Sequence, residues 1–298
     1  MRGGTVGRVL ATKSSQVKEG DYVSTMSGWT EIAILKEGQF DPASNYPGLK
    51  EPQDLLSVLG LTGITAWAGM TQIGEPKPGE LVVVSGAAGA TGSVAAQIAK
   101  LKGARVIGIA GSDDKCKWLT EDLGLDGALN YKDPDFKKKF KEATKDFIDV
   151  YFDNGKPFFF LKKNFIRTRK MSLISFAVGG EILDMALGQA KPFARFVECG
   201  VISQYNKAVP EGPRNISRVI QMRIKMQGFI VFDYEKQYPQ ARKDLAQWLG
   251  EGKLKKTEHI LKGGLKVAEQ GLVDLYKGIN TGKLLVEIKN PSESPSKL

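Results

Sequence analysis

The chain of 298 residues contains one histidine, His259, and two cysteines, Cys116 and Cys199. Three such residues, far apart in sequence, cannot supply the clustered ligands of a zinc centre and frame no disulfide scaffold. No metal site is expected, a reducing compartment is, and His259 is read as a surface or interface residue. No apolar run reaches the length of a membrane span and no secretory signal is visible, so no membrane partner is expected. Acids are in deficit, 33 against 43 Lys and Arg, for a net charge of +10. The imbalance is local. Lys156, Lys162, Lys163, Arg167, Arg169 and Lys170 lie in 155–177, a stretch without a single acid. No RNA- or DNA-binding motif accompanies the charge, which argues against a nucleic-acid partner.

What the chain has in quantity is glycine, and the most informative glycines sit in LVVVSGAAGATGSVAAQIAK at 81–100. The apolar, β-branched opening reads as a buried parallel strand. A turn with Gly86, Gly89 and Gly92 follows, and the apolar spacing of Ala95, Ala96, Ile98 and Ala99 continues as a helix. Strand, glycine turn and helix form the context of a dinucleotide fingerprint. Glycine lets the backbone approach a pyrophosphate, and the helix N-terminus presents free N–H groups to it.

Beyond the turn, strands and helices alternate. Strands are expected at 105–110, 127–131, 148–153, 193–199 and 228–232, and helices at 113–123, 136–144 and 181–187, the first capped by Ser112. This pattern is α/β, with a doubly wound parallel Rossmann sheet and ligands at the carboxyl ends of its strands. The flanks read differently: short strand-like pieces at 7–11 and 21–24, and again after residue 250, ending at 282–288. The expected division is therefore a partial β-rich domain at 1–57, a nucleotide domain at 58–250, and a return to the first domain at 251–298. A Pro/Ser tail is expected to be disordered over 290–298. Its last residues, Ser296, Lys297 and Leu298, are the peroxisomal import tripeptide, so an import receptor is an expected partner and the peroxisome the expected location, with the cytoplasm as alternative.

An NAD-preferring fold places an acid at the end of the second strand. Here that strand runs into Gly111 and Ser112, with Asp113 and Asp114 at the first helical turn and Lys115 behind them. A hydroxyl and a lysine suit a 2′-phosphate. On these residues alone, selection of NADP and a solvated helix lysine are evenly matched.

Taken together, the residues resemble the medium-chain dehydrogenase/reductases, and within them the zinc-free branch of alkenal double-bond reductases and prostaglandin (leukotriene) reductases. The matching pieces include MRGGTVGRV at 1–9, GLTGITAW at 60–67, SGAAGATGS at 85–93, Asn130 and Tyr131, YFDN at 151–154, CGVISQYN at 199–206, and Asn280 with Gly282 and Lys283. The resemblance implies a GroES-like small domain and NADPH-dependent reduction of the C=C bond of an α,β-unsaturated aldehyde or ketone, a small-molecule enal or enone. It implies Tyr205 as the hydrogen-bond donor to the carbonyl oxygen, where enolate charge develops. It implies Gly86, Ala88, Gly89, Ala90, Thr91 and Gly92 at the pyrophosphate turn. Ser112, Lys115 and Tyr131 would hold the 2′-phosphate, and Asn154 and Asn280 would contact the cofactor near its nicotinamide end. Gly63 and Thr65 would lie on a helix packed beside it. A homodimer is also implied.

Two departures from the family pattern stand out. The family carries several dozen residues ahead of the piece matching 1–4, so the small domain is expected to be N-terminally truncated. The family also reads YFDNVGGE unbroken, whereas 155–177 here separates Asn154 from Val178. That stretch is either an inserted loop or a retained intron. Gly155 and Lys156 can be encoded with the splice donor GTAAG, Ala177 with the acceptor CAG, and the span of 69 nucleotides keeps frame. Two alternatives to the alkenal reductase stay open: a catalytically impaired NADPH-binding protein, and a zinc-free quinone reductase.

Overall fold

A computed structural model describes residues 3–154, 180–200 and 212–289. From the start the chain forms strands β1 (Thr5–Arg8), β2 (Tyr22–Thr25) and β3 (Phe40–Pro42), then helix α1 (Leu61–Ala68). Strict alternation follows: β4 (Leu81–Val84), α2 (Ala90–Leu101), β5 (Arg105–Ala110), α3 (Asp113–Glu121), β6 (Gly127–Asn130), α4 (Phe136–Ala143) and β7 (Ile148–Asp153). The later elements are α5 (Glu181–Gly188), β8 (Ala190–Glu198), the single turn α6 (Arg218–Gln221) and β9 (Lys225–Gly228). After them come α7 (Tyr238–Gly250), β10 (Glu258–Lys262), α8 (Ala268–Lys277) and β11 (Lys283–Glu287). The residues fall into two compact units, one of 69–87 and 102–229, the other of 1–68, 88–101 and 230–298.

The first unit is built on a six-stranded sheet in the order β6-β5-β4-β7-β8-β9, parallel throughout. Renumbered from β4, that order is 3-2-1-4-5-6, the doubly wound dinucleotide-binding arrangement with its topological switch between β4 and β7. All four β4 residues are buried, as a continuous Leu-Val run in a covered parallel strand must be. One face packs Tyr151 and Phe196 against Phe136 and Phe140 of α4 and Ile182, Leu183 and Leu187 of α5. The Tyr151 and Phe196 rings pack tilted at 41°, with centroids 5.2 Å apart. On the other face lies a π-helical stretch, Gly69–Gly74. A Cβ on Gly69 would lie 2.6 Å from the Phe152 ring, so only glycine allows this approach.

The second unit holds the antiparallel sheet β1-β2-β3 and the parallel pair β10-β11. Residue Lys256 pairs with the fully buried Asp54 and with Glu51. Trp67 Nε1 of α1 donates to Asp244 Oδ2 of α7 at 2.8 Å. Gln97 of α2 donates to the Lys255 carbonyl at 3.0 Å and accepts the Lys255 N–H at 2.7 Å.

Three expected elements are corrected. The sixth strand lies at β9, ahead of 228–232; its ladder ends at the Glu198–Gly228 pair, and residues Val231–Gln237 wind into a 3-10 helix. An edge strand needs only one covered face, so Lys225 and Gln227 serve there while Ile230 and Phe232 stand exposed. The fifth strand begins at Ala190, with an irregularity in its register against β7 and a left-handed Phe193 at φ 64°. The C-terminal region contains α7 and α8 as well as its two strands. No described helix is long and apolar enough to cross a membrane.

Candidate functional site

In the sheet unit, the carboxyl ends of β4, β5, β6, β7 and β8 carry the relevant residues. Gly86, at φ 56°, turns the chain out of β4, and the Ala87 N–H donates to the Ile109 carbonyl at 3.0 Å. Ser112 caps α3 as expected: its extended backbone (φ −161°) presents Oγ to the Lys115 N–H at 3.4 Å. Lys115 is half-buried, and burial together with the Lys132 ammonium nearby pulls it below the ordinary lysine range. Tyr131, whose N–H donates to Ala110 O at 3.0 Å, brings its hydroxyl under Gly111. A Cβ there would lie 2.8 Å from Tyr131 Oη. The structure thus gathers Ser112, Lys115 and Tyr131 at two adjacent strand exits, with Lys132 as an added cation. Burial and a neighbouring like charge both disfavour the charged form of a lysine.

At the switch point, Ser85 Oγ donates to Asp153 Oδ1 at 2.7 Å and accepts the Asn154 N–H at 2.8 Å. Both Ser85 and Asp153 are completely buried. The Asp153 carbonyl accepts the N–H groups of Cys199 at 3.0 Å and Gly200 at 3.2 Å. Asp153 and Glu198 are direct ladder partners, each the last residue of its strand. Sequence reasoning passed over Ser85, Asp153, Glu198 and Lys132. The available signal was an acid directly after two or more apolar or aromatic strand residues, in VYFD at the end of β7 and FVE at the end of β8.

In the second unit, Ala88 and Gly89 lead into α2, whose first residues are Ala90, Thr91 and Gly92. The first turn of a helix leaves its N–H groups without intrahelical partners, a ready place for phosphate oxygens. The Ala88 carbonyl accepts the Gly282 N–H at 2.8 Å, and Gly89 bridges Gly282. Asn280 is 2 % exposed, and its Nδ2 donates to Gly282 O at 2.7 Å. Gly282 has φ 70°, and a Cβ there would lie 2.0 Å from the Thr257 carbonyl oxygen. Gly63 lets its own helix approach the Val58 carbonyl, where a Cβ would lie 1.8 Å away, and Thr65 Oγ1 donates to Leu61 O at 2.6 Å. Tyr205, the 155–177 stretch and the Ser296–Lys297–Leu298 ending lie outside the described residues. Among the described residues, no three His, Cys, Asp or Glu side chains come together as metal ligands would.

A 3-2-1-4-5-6 parallel sheet and a glycine turn into a helix define a dinucleotide-binding protein. The family described as "Zinc-binding dehydrogenase" matches residues 90–157. YfmJ of Bacillus subtilis (strain 168), assigned by name to the NADP-dependent oxidoreductases, is 40% identical over 98% of this chain and 79% of its own. The 2-alkenal reductase (NADP(+)-dependent) of Nicotiana tabacum is 35% identical over 95% of this chain and 76% of its own. The crystal structure of CurA in complex with NADPH from Vibrio vulnificus superposes with a TM-score of 0.82 at 36% identity, covering 98% of this chain and 80% of that one. The chain belongs to the zinc-free, NADP-dependent branch of the medium-chain dehydrogenase/reductases, and its cofactor is NADPH.

Proposed function

We propose that the protein reduces the C=C bond of small α,β-unsaturated aldehydes or ketones. The observation that carries this reading is the tobacco relative named for 2-alkenals, which covers nearly the whole chain. The cation pair Lys115 and Lys132 beside Ser112 and Tyr131 supports the choice of NADPH over NADH. NADPH, when bound, supplies the hydride, which goes to the substrate β-carbon.

The chain's own residues do the rest. The Ser112, Lys115 and Tyr131 cluster holds the 2′-phosphate. The turn through Gly86, Ala88 and Gly89 into Ala90, Thr91 and Gly92 presents backbone N–H groups to the pyrophosphate. Asn154 and Asn280 serve the nicotinamide end. Tyr205 donates a hydrogen bond to the substrate carbonyl oxygen, where enolate charge develops as the hydride arrives. A phenol has an unperturbed pKa near 10 and is protonated at neutral pH, so it can donate. A proton from solvent completes the saturated product. The test compares NADPH consumption with a 2-alkenal and with a quinone. Alkenal turnover is expected. Quinone turnover without alkenal turnover would overturn the reading, and NADPH binding with neither would identify a catalytically impaired binding protein.

A further inference from the structure

Gln97 lies in α2 and is buried, 4 % exposed, and the chemistry above makes no use of it. Its side-chain amide is fully engaged. Nε2 donates to the Lys255 carbonyl at 3.0 Å and to the Ser93 carbonyl of its own helix at 3.1 Å, and Oε1 accepts the Lys255 N–H at 2.7 Å. A buried amide that answers both backbone groups of one residue does for that residue what a neighbouring strand would do. Two residues further on, the Thr257 carbonyl accepts the Lys283 N–H at 2.9 Å. Gly282, just before it, donates to Ala88 O at 2.8 Å and bridges Gly89, whose carbonyl accepts the Ser93 N–H at 2.9 Å. The bonds thus run from Gln97 through a strap, residues 255–257, to Gly282 and Gly89, and return through Ser93 to form a closed ring.

We propose that Gln97 is a positioning residue for the cofactor: by closing this ring it holds the glycine turn at the head of α2, together with Asn280, in one arrangement before any dinucleotide arrives. This rests on the reading of that turn as the pyrophosphate site and of Asn280 as a cofactor contact. The head of α2 can offer its N–H groups to a phosphate only where the turn places them. Asn280 Nδ2 donates to Gly282 O at 2.7 Å, so Asn280 is tied to the same ring. With the Gln97 bonds gone the ring is open, the turn gains freedom, and a dinucleotide must order it on binding at a cost in affinity.

The strap has anchors of its own, so the ring is fixed on both sides. Lys256 pairs with Glu51 and with the fully buried Asp54, which also accepts the Glu51 N–H at 3.1 Å. Ser57 Oγ donates to Glu258 Oε1 at 2.5 Å. The ring also has little slack. Gly282 stands at φ 70°, and a Cβ there would lie 2.0 Å from the Thr257 carbonyl oxygen. Lys255 is therefore held by Gln97, Lys256 by two acids, Thr257 by Lys283 and Glu258 by Ser57, four consecutive residues with four separate holds.

The experiment measures Kd for NADPH, NADH and 2′-AMP on the full chain, the last by competition. 2′-AMP carries a 2′-phosphate and no pyrophosphate. Gln97→Met keeps the length of the side chain and removes its hydrogen bonds. It is expected to raise Kd for NADPH and NADH alike by about tenfold and to leave 2′-AMP within about twofold. Ser57→Ala frees only the Glu258 end of the strap; a loss of about threefold in the same pattern is expected, and this milder variant carries the test should Gln97→Met not fold. Tyr46→Phe is the stability control. It removes a buried hydroxyl bonded to Asp41 and Arg242, outside the ring, and should lower the melting temperature with all three Kd values intact. Parallel loss of 2′-AMP in Gln97→Met, or the same dinucleotide loss in Tyr46→Phe, would reduce Gln97 to general stability and overturn the proposal, as would unchanged dinucleotide affinity in folded Gln97→Met. Hydrogen exchange without cofactor gives a second readout. The Ser93 and Gly282 N–H groups should exchange faster in Gln97→Met and at wild-type rates in Tyr46→Phe; wild-type rates in Gln97→Met would overturn the ring. Faster exchange in Gln97→Met, in a protein whose wild type binds neither dinucleotide, would place the failure in the NADPH-site reading instead.

Discussion

Replacing Lys115 by Ala isolates the proposed 2′-phosphate contact from everything else the cofactor would touch. Ser112 Oγ accepts the backbone N–H of residue 115, which alanine retains, so the α3 cap survives. Alanine is also the best helix former, and the fold should be unaffected. What disappears is one half-buried ammonium beside Lys132. A hydrogen bond to a charged group is worth about 1.5–3 kcal/mol, and partial exposure with Lys132 still in place argues for the lower half of that range. A loss of about 1.5–2 kcal/mol is roughly a 10- to 30-fold weaker Kd for NADPH. NADH has no 2′-phosphate, so its Kd should stay within about twofold on the same physical argument. Fluorescence titration with both cofactors, repeated with 2′,5′-ADP and 5′-AMP, measures the difference directly. Equal losses for NADPH and NADH, or no loss for 2′,5′-ADP, would refute the assignment of Lys115. Because burial and Lys132 lower the Lys115 value, wild-type NADPH affinity should also exceed NADH affinity by less at alkaline pH, before ordinary lysines titrate.

Gly282→Ala places a Cβ 2.0 Å from the Thr257 carbonyl at a backbone φ of 70°, and the left-handed conformation alone costs about 1–2 kcal/mol. The shift this forces loosens the Gly282 N–H bond to Ala88 O, so a lower melting temperature and weaker binding of NADPH and NADH alike are expected; intact affinity for both would show that this contact does not hold the turn. Tyr205→Phe should slow alkenal turnover by about 10²- to 10³-fold with the NADPH Kd unchanged, and unaltered single-turnover rates would remove Tyr205 from the mechanism. Sequencing of cDNA should yield transcripts in which the Asn154 codon joins Val178 through loss of 69 nucleotides, and a transcript that keeps them under all growth conditions would make 155–177 a genuine insertion.

The sheet was legible because local signals and tertiary demands coincide there. LVVV at 81–84 is apolar at every position, and a strand buried on both faces requires that. Strands β4, β5 and β7 match their expected bounds to the residue for the same reason. The edge strand KMQG carries no such signal, because solvent covers one side of it. The apolar pattern at 228–232 drew the expectation instead, yet Ile230 and Phe232 are exposed. Helices α7 and α8 were obscured by their polar faces, with only Ala241, Leu245, Ala268 and Gly271 buried. At the site, Ser112 was readable because capping is a local rule. The Ser85–Asp153–Asn154 chain was not, since its 68- and 69-residue separations in sequence are closed only by the sheet.

Cofactor choice illustrates why side-chain identity at one position is a weak guide. An acid at the end of the second strand usually marks NAD, and Asp113 stands one residue beyond the expected place. Its Oδ1 accepts a hydrogen bond from Asn130 Nδ2 at 2.9 Å, and Asn130 Oδ1 accepts the Lys132 N–H at 3.0 Å. Asn130 therefore turns the Asp113 carboxylate toward the β6 exit and, through the same amide, fixes the backbone that carries Lys132. Asp113 also heads α3, where the dipole favours a negative charge without any ligand. The acid is thus accounted for by the helix and by Asn130. On the proposed reading, the charges of Lys115 and Lys132 favour a 2′-phosphate, which a ribose 2′-hydroxyl cannot match.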